Sequence, residues 1–204
     1  MRRREFEVTD PQETNAVLDA ASWGSLALIT PQGTPLQVPL NFVRLGDQLY
    51  FHGTHDGEKM EVLALNGAAS FLVVEPSAIL PSPFFGSKTA CTAAQLFRSV
   101  VVKGRARLVE ATAEKAEALQ ALMAKLQPEG GHAPITADGP GYRASLKGVA
   151  VFAMSMETVT GKFKLGQNYG PEVAGRLMEQ LERRRGPGDA RTLEAMRRSR
   201  PSDK

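Results

Sequence analysis

The chain of 204 residues has little cysteine and histidine, few aromatic side chains and no long apolar run. Its single cysteine, Cys91, excludes an intramolecular disulfide and a zinc site built from several cysteines. Because no stretch of about 18 apolar residues occurs, no membrane-spanning helix is expected. The basic start, Met1–Arg4, is followed by Glu5 and Glu7 instead of an apolar segment, so a secretory signal peptide is not expected. These absences predict a cytoplasmic protein without a membrane partner.

The net charge of +3 is concentrated at the two ends of the chain. Arg2–Arg4 supply three positive charges, and the segment from Arg176 to Lys204 has nine Lys or Arg against five Asp or Glu. A basic tail of this kind suits an acidic partner, nucleic acid, or simply a helix with a solvated charged face. We expect the solvated helix, because the tail lacks a helix-turn-helix pattern and its arginines do not alternate with aromatic residues.

Strand-like segments outnumber helical ones. Strands are predicted at residues 23–30, 35–45, 48–52, 68–74, 97–110 and 148–156, and helices at residues 11–21, 58–65, 113–126 and 171–185. Because most strands are linked by short turns, the pattern predicts a mainly β protein, a six-stranded antiparallel barrel with small peripheral helices and a C-terminal helix. We place the barrel domain at residues 1–170 and a helical extension with a basic end at residues 171–204.

Two further expectations concern the middle of the chain. The strand at residues 68–74 is apolar almost throughout, which predicts burial on both of its faces. The following residues, 75–96, are rich in Pro, Gly and Ser and predict one long loop. A loop of this length inside a compact domain is usually functional.

The most informative segment joins the third predicted strand to the second predicted helix. The strand ends near His52, a turn containing Gly53 and Gly57 follows, and Lys59 stands in the first turn of the helix. A helix N-terminus presents unpaired N–H groups and a partial positive charge, so together with Lys59 it predicts a phosphate pocket. The alternative is an ion pair of Lys59 with a neighbouring carboxylate from Asp56, Glu58 or Glu61.

The remaining candidates for chemistry are few. His52 and His55 flank a Gly-Thr turn and suit either a proton donor, a phosphate ligand or a structural role. A metal would need a third ligand, for which only His132, Asp56 and scattered carboxylates are available, so no metal site is expected. Cys91 has no histidine nearby and is interpreted as a small buried or half-buried residue.

A second unusual run, G-K-F-K-L-G-Q-N, spans residues 161–168. Its two lysines match an anionic group and its two amides match the heteroatoms of a planar ring, so the run is suited to close over an anionic, planar ligand. The alternative is an exposed edge strand protected by its lysines. The residues concerned are Lys162, Lys164, Gln167 and Asn168.

Four segments, in this order, resemble the pyridoxamine 5′-phosphate oxidase-like superfamily of flavin-binding split barrels. They are G-T-P with P-L-N-F-V over residues 33–43, Y-F-H-G with its lysine over residues 50–59, F-R-S-V-V-V-x-G-R-A-R-L-V at residues 97–109, and the run at residues 161–168. The nearest branch is similar to the nitroimidazole-resistance (Nim-type) flavoproteins. The resemblance covers about residues 9–185, most of the chain.

This resemblance implies a split-barrel homodimer with FMN at the subunit interface. The second strand would lie beside the isoalloxazine ring and offer it Gln37, Val38, Pro39, Leu40, Asn41 and Phe42. The phosphate end would be held by His52, Gly53 and Lys59. The long strand would contribute Arg98 and Ser99, and the partner subunit would contribute Lys162, Lys164, Gln167 and Asn168.

The activity implied by the resemblance is reduction of a small acceptor, of which a nitroaromatic is one example. His52 is the expected catalytic residue, and an apolar lid over the acceptor is expected from Phe42, Phe97 or the pair Phe84 and Phe85. Relatives often carry Arg-Lys where this chain has Glu58-Lys59, so one phosphate partner is missing here. The R-L-H-D-R-type ending of the true oxidases is also missing, so vitamin synthesis is not expected.

Two alternatives from other classes stay open. One is a flavin-binding sensor or regulatory module without turnover, whose basic tail would bind a partner or DNA. The other is a haem-degrading relative on the same barrel, for which His132 or a tail residue would be the axial ligand.

Overall fold

The computed structural model describes residues 3–65 and 67–200. Arg2 of the basic start and residues 201–204 of the basic tail therefore lie outside the described residues. The strands are β1 (Glu7–Val8), β2 (Trp23–Ile29), β3 (Pro35–Asn41), β4 (Val43–Leu45), β5 (Gln48–Gly53), β6 (Ala68–Leu80), β7 (Ala94–Leu108), β8 (Ala150–Ser155) and β9 (Thr158–Lys164). The helices are α1 (Pro11–Ala20), α2 (Glu58–Leu65), α3 (Thr112–Leu126), α4 (Arg143–Gly148), α5 (Pro171–Arg184) and α6 (Asp189–Arg198).

The strands hydrogen-bond in the order β3-β2-β6-β7-β8-β5-β4, and β9 pairs with both β1 and β7. The pairings of β2 with β3 and β6, and of β8 with β5 and β7, are antiparallel. This confirms the predicted mainly β, antiparallel class with peripheral helices.

The strand count was predicted wrongly, since the described residues form nine strands instead of six. The second predicted strand is divided at Phe42 into β3 and β4. Two other strands, β1 and β9, were not expected, and they pair with each other through Glu7 and Lys162. Residues 161–164 of the G-K-F-K-L-G-Q-N run belong to β9, so this part of the run is a strand.

The chain divides into two compact units. One unit comprises Thr14–Val73 and Val100–Val159, and the other comprises Met1–Glu13, Val74–Ser99 and Thr160–Lys204. The long strands β6 and β7 each contribute residues to both units. We name the first of these units the barrel unit and the second the tail unit.

The barrel unit is organised around buried aromatic and aliphatic side chains. Phe71 packs against Phe42 and Phe51, with ring centroids 4.8 and 5.1 Å apart. A second cluster joins α3 to strands β4, β5 and β8, with Leu122, Tyr50 and Val151 among its members. Residues 150–154 of β8 are all buried, because β8 has a strand on each side and both of its faces are covered.

The tail unit is held by α5 and α6. Their apolar residues, among them Leu177, Leu181 and Met196, pack against Ala78, Leu80 and Leu96 of the two long strands. The buried Asp189 at the start of α6 accepts hydrogen bonds from Arg184, at 2.9 and 2.5 Å. The hydrogen bond from Arg184 holds the pKa of this carboxyl below its usual range. The predicted C-terminal extension thus contains two helices, which are separated by residues 185–188 with the sequence Arg-Gly-Pro-Gly.

Two expectations for the middle of the chain were wrong. Strand β6 runs on to Leu80, so the predicted loop at residues 75–96 contains strand residues and two short 3-10 turns at Ser82–Phe85 and Ala90–Thr92. The side chains of β6 alternate between buried Phe71 and Val73 and exposed Leu72 and Val74. An apolar run therefore does not lie buried on both faces here, and one face of this strand is open.

The half-buried Lys125 of α3 gives the barrel unit a pH-dependent stability. Its ammonium donates to the carbonyl of Leu18 at 3.0 Å and lies 4.0 Å from the ring centroid of Phe42. Burial lowers the pKa of Lys125 to about 8. At pH values between this pKa and the pKa of an unfolded lysine, the unfolded chain binds more protons than the folded chain. The free energy of unfolding therefore rises with pH in this range.

We predict that replacing Lys125 by Met removes this rise. The free energy of unfolding of the wild type, minus that of Lys125→Met, should increase by about 1 kcal/mol between pH 7 and pH 10. This value is kept small because solvent screens the charge of a half-exposed group. Urea unfolding of both proteins across this pH range measures the difference. Parallel pH curves would show that Lys125 titrates alike in the folded and unfolded chains.

Candidate functional site

The end of β5 and the start of α2 lie where the sequence predicted an anion pocket. β5 ends at Gly53, opposite Ala150 of β8. The loop that follows is closed by the hydroxyl of Thr54, which donates to the carbonyl of Asp56 at 3.0 Å. Gly57, at φ +108°, then starts the helix, and its carbonyl accepts from the N–H of Met60 at 2.9 Å. A side chain is strained at this φ, so glycine suits the position.

Lys59 points its ammonium back over the end of β5. Its Nζ lies 5.3 Å from the ring centroid of Phe152 and 2.8 Å from the position that a Cβ on Gly53 would occupy. In the described part of the chain no carboxylate forms an ion pair with it, so the alternative pairing with Asp56, Glu58 or Glu61 is not observed. Burial lowers the pKa of Lys59, because the ammonium loses hydration without gaining an anionic partner.

Strand β3 ends the strand order, so among the described residues its second edge has no strand partner. Gln37, Pro39 and Asn41 of β3 are exposed, whereas Leu36, Val38 and Leu40 are half-buried. Pairing with β2 sets Asn41 opposite Trp23 and Pro39 opposite Ser25. The predicted ring-binding residues thus lie on an accessible edge strand, and the backbone of that edge can offer hydrogen bonds to a ligand.

The side chain of Phe42 is fully buried against Phe71. The expectation that Phe42 forms a lid over an acceptor is therefore wrong, because its ring belongs to the core. Only its backbone remains as a candidate for ligand contact.

His52 is exposed and lies at the rim of an apolar cavity of about 220 Å³. The cavity is lined mainly by α3 and α4 with the preceding loop, through Leu119, Leu122, Met123, Leu126, Ile135, Tyr142, Ser145, Leu146 and Val149. Sequence reasoning missed these residues as site candidates. The one signal available was the apolar stripe of α3, which is wider than the buried core requires, since Met123 and Leu126 are incompletely buried.

The other predicted residues lie in the tail unit. The hydroxyl of Ser99 donates to the carbonyl of Lys162 at 3.3 Å, so the two predicted segments are adjacent there. The Lys162 ammonium lies 5.6 Å from the ring centroid of Phe97. Arg98 donates to Glu75 at 2.7 Å and its guanidinium lies 5.6 Å from the ring centroid of Phe163.

The amides of the basic run have different surroundings. Gln167 accepts from the N–H of Leu165 and donates to the carbonyl of Phe163, both at 2.7 Å, so its amide closes the turn after β9. Asn168 is exposed, and Lys164 is half-buried. The predicted residues therefore divide between the two units. Gln37–Phe42, His52, Gly53 and Lys59 lie in the barrel unit, and the rest lie in the tail unit.

Three further observations concern chemistry that the sequence left open. Within residues 3–65 and 67–200, no group of three or more His, Cys, Asp and Glu is arranged to hold a metal ion. Cys91 is exposed, which corrects the expectation of a buried or half-buried residue; it lies in a short 3-10 turn at the surface. None of the helices described has both the length and the apolar character needed to cross a membrane.

Comparison with known proteins gives a match over most of the chain. The family model described as "Pyridoxamine 5′-phosphate oxidase" matches residues 10–163. A Bacillus subtilis (strain 168) protein named "Protease synthase and sporulation protein PAI 2" is 24% identical over 198 residues, which are 94% of this chain and 93% of that protein.

Solved structures share the fold. A Bacteroides thetaiotaomicron protein described as a 5-nitroimidazole antibiotic resistance protein superposes with a TM-score of 0.63 at 20% identity, over 76% of this chain and 85% of its own. The FAD and heme binding protein of Mycobacterium smegmatis gives a TM-score of 0.66 at 19% identity, over 83% and 79% of the two chains. The fold and the match over residues 10–163 confirm the resemblance seen in the sequence, and the chain belongs to the pyridoxamine 5′-phosphate oxidase-like family.

Proposed function

We propose that this protein is a flavin-binding oxidoreductase that holds FMN and reduces a small organic acceptor. The observation that carries the proposal is the Lys59 ammonium, which lies over Gly53 at the start of α2 without a carboxylate partner in the described part of the chain. Family membership supplies the class of ligand, and this ammonium supplies a place for its anionic end.

The residues at this position fit a terminal phosphate. A charged ammonium, unpaired N–H groups at a helix start and a glycine that leaves the backbone accessible are the features that bind phosphates in proteins. The lowered pKa of Lys59 supports this assignment, because an anion bound here would replace the lost hydration. Glu58 stands beside it where relatives often have arginine, so a single lysine would carry the charge contact.

The planar part of the cofactor would lie along the open edge of β3. The backbone of Gln37–Phe42 and the exposed side chains of Gln37, Pro39 and Asn41 would hold it. The long strand would contribute Arg98 and Ser99. A second copy of the chain would contribute Lys162, Lys164, Gln167 and Asn168. When bound, FMN supplies the two-electron redox chemistry. The Mycobacterium smegmatis neighbour is described as binding FAD, so FAD is the competing flavin in a binding test.

An exposed apolar face supports the homodimer. Trp23, Ile29 and Leu72 are 61%, 52% and 37% exposed. The register sets Trp23 opposite Asn41 and Leu72 opposite Ser25, so they share a sheet face with the exposed residues of β3. Because exposed apolar patches commonly mark protein interfaces, we propose that a second copy covers this face.

The cavity at His52 suits the acceptor. An apolar cavity of about 150 Å³ in another protein binds benzene. The cavity here, at about 220 Å³, is therefore large enough for a substituted single ring such as a nitroaromatic. The imidazole of His52 lies at its rim, where it would give a proton to the reduced product.

A second candidate function is a flavin-binding regulatory module without turnover. It is favoured by the relative named as a sporulation protein, which aligns with this chain over nearly its whole length. The two candidates share the flavin site and differ in whether reduced nicotinamide is consumed.

A visible-absorbance titration with FMN tests the proposed cofactor, and an assay with reduced nicotinamide and a nitroaromatic separates the two candidates. We expect a saturating spectral shift of the flavin and steady oxidation of the nicotinamide. A shift without oxidation would favour the regulatory module. A protein that takes up no flavin would contradict both.

We predict that Lys59→Ala weakens FMN binding by roughly ten- to a hundredfold, because it removes a charge-assisted contact to phosphate. Gly53→Ala should also weaken binding, since its Cβ would displace the ammonium, while the melting temperature stays nearly unchanged. Lys103→Ala, at an exposed lysine of β7, is the matched control. Equal FMN dissociation constants for all three variants would contradict the assignment of the phosphate to Lys59.

We predict that Trp23→Glu converts the protein to a monomer, because a charge would be buried in the proposed interface. Gel filtration with light scattering measures the mass. Leu108→Glu, at another exposed apolar residue of the barrel unit, is the control and should leave the dimer intact. A wild-type protein of monomer mass would contradict the shared site.

A further inference from the structure

Helix α3 carries a buried lysine, Lys115, that the proposed function does not use and that is only 8% exposed. Its ammonium donates to the carbonyls of Leu146 at 3.4 Å and of Val149 at 3.1 Å. Within residues 3–65 and 67–200 it forms no ion pair with a carboxylate. Burying an ammonium among neutral carbonyls costs free energy, and a methionine of similar length would fill the space without this cost. The position therefore indicates a role beyond packing.

The two carbonyls belong to the segment that forms one wall of the cavity at His52. Leu146 lies in the last turn of α4, where carbonyls lack a partner within the helix, and Val149 follows the helix. The side chains of both residues line the cavity. A positive charge is favourable at this end of a helix, because the helix dipole is negative there. Lys115 therefore holds the end of α4 in place.

Another wall of the same cavity belongs to the helix that carries Lys115. Leu119 and Leu122 follow Lys115 by four and seven positions along α3, so the three side chains lie on one face of the helix. Leu119 and Leu122 line the cavity. Because the Lys115 ammonium reaches from this face to the end of α4, a single side chain ties the two walls together.

The loop between α3 and α4 has anchors of its own. The side-chain oxygen of Gln120 accepts from the N–H of Ile135 at 2.8 Å, and the hydroxyl of Tyr142 donates to the carbonyl of Ala133 at 2.9 Å. Ile135 and Tyr142 also line the cavity. Since this part of the lining is held without Lys115, loss of the ammonium would release the α4 wall and leave the loop in place.

We infer that Lys115 is a positioning residue that sets the width of the cavity at His52 and thereby limits the acceptor to a single aromatic ring. The limit agrees with a volume of about 220 Å³, since a cavity of about 150 Å³ in another protein holds benzene. The inference rests on the proposed function, because it takes this cavity as the acceptor site. All the contacts that carry it lie within the barrel unit.

Fluorine NMR titration of the full chain measures the size limit without turnover. The probes are 4-fluoronitrobenzene, with one ring, and 4-fluoro-1-nitronaphthalene, with two fused rings, and both are uncharged. We expect the wild type to bind the one-ring probe at least about tenfold more tightly. In Lys115→Met this ratio should fall at least about threefold, because α4 loses two hydrogen bonds and can move outward. A general loss of stability would weaken both probes and leave the ratio unchanged.

Three further variants control the experiment. Lys125→Met is the matched control and should keep the wild-type ratio, because Lys125 is a half-buried lysine of the same helix that donates to Leu18, which does not line the cavity. Lys115→Gln keeps an amide donor but lacks the charge and the reach, so it should also lower the ratio, and it decides the test if Lys115→Met does not fold. Met123→Trp fills the cavity and should abolish binding of both probes.

A wild-type ratio in the Lys115 variants, an equal fall in Lys125→Met, unchanged binding in Met123→Trp, or no binding of either probe to the wild type would overturn the inference. Titration of the same samples with FMN separates this test from the proposed function. A chain that takes up no FMN but shows the expected ratios would contradict the redox function and support the size limit set by Lys115. Normal FMN binding with unchanged ratios would overturn the inference alone.

Discussion

The proposed cofactor site depends on one ammonium group, that of Lys59, which lacks an anionic partner in the described part of the chain. Lys59 lies at the start of α2, where the helix dipole disfavours a positive charge, and its ammonium is half-buried over Gly53 and the ring of Phe152. Such a group costs free energy unless an anion completes its surroundings. The phosphate assignment follows from this single feature.

The barrel unit also exposes large apolar side chains on one face of its sheet. Strand β6 buries Phe71 and Val73 and exposes Leu72, while β2 exposes Trp23 and Ile29. A sheet with one covered and one open face normally carries polar residues on the open side. Here the open side carries large apolar residues beside the exposed residues of β3, so the proposed partner surface and the proposed ligand edge lie on the same face.

Much of the fold was predictable because its signals are local. Caps, apolar stripes and helix breaks act within a few residues, and the four helices predicted at residues 11–21, 58–65, 113–126 and 171–185 agree with α1, α2, α3 and α5 to within one residue at each end. The family resemblance was also visible, because its motifs are short and ordered. By contrast, β9 and the extension of β6 depend on pairing partners far along the chain, which local patterns do not reveal.

The surroundings of side chains were the least predictable part. Phe42 was expected near a ligand but is buried, since burial depends on which sheet face the core covers. The ion pair of Arg98 with Glu75 joins residues 23 positions apart, and no spacing rule indicates it. The wall of the cavity at His52 comes from α3 and α4, whose apolar residues have the same sequence pattern whether they fill a core or line a pocket.

The most direct measurement of the central claim is a comparison of flavins that differ only in the phosphate. FMN and riboflavin are titrated into the wild-type protein under the same conditions. If the Lys59 ammonium holds the phosphate, FMN binds at least about tenfold more tightly than riboflavin, and the difference shrinks as salt concentration rises. Equal dissociation constants for the two flavins would contradict the account.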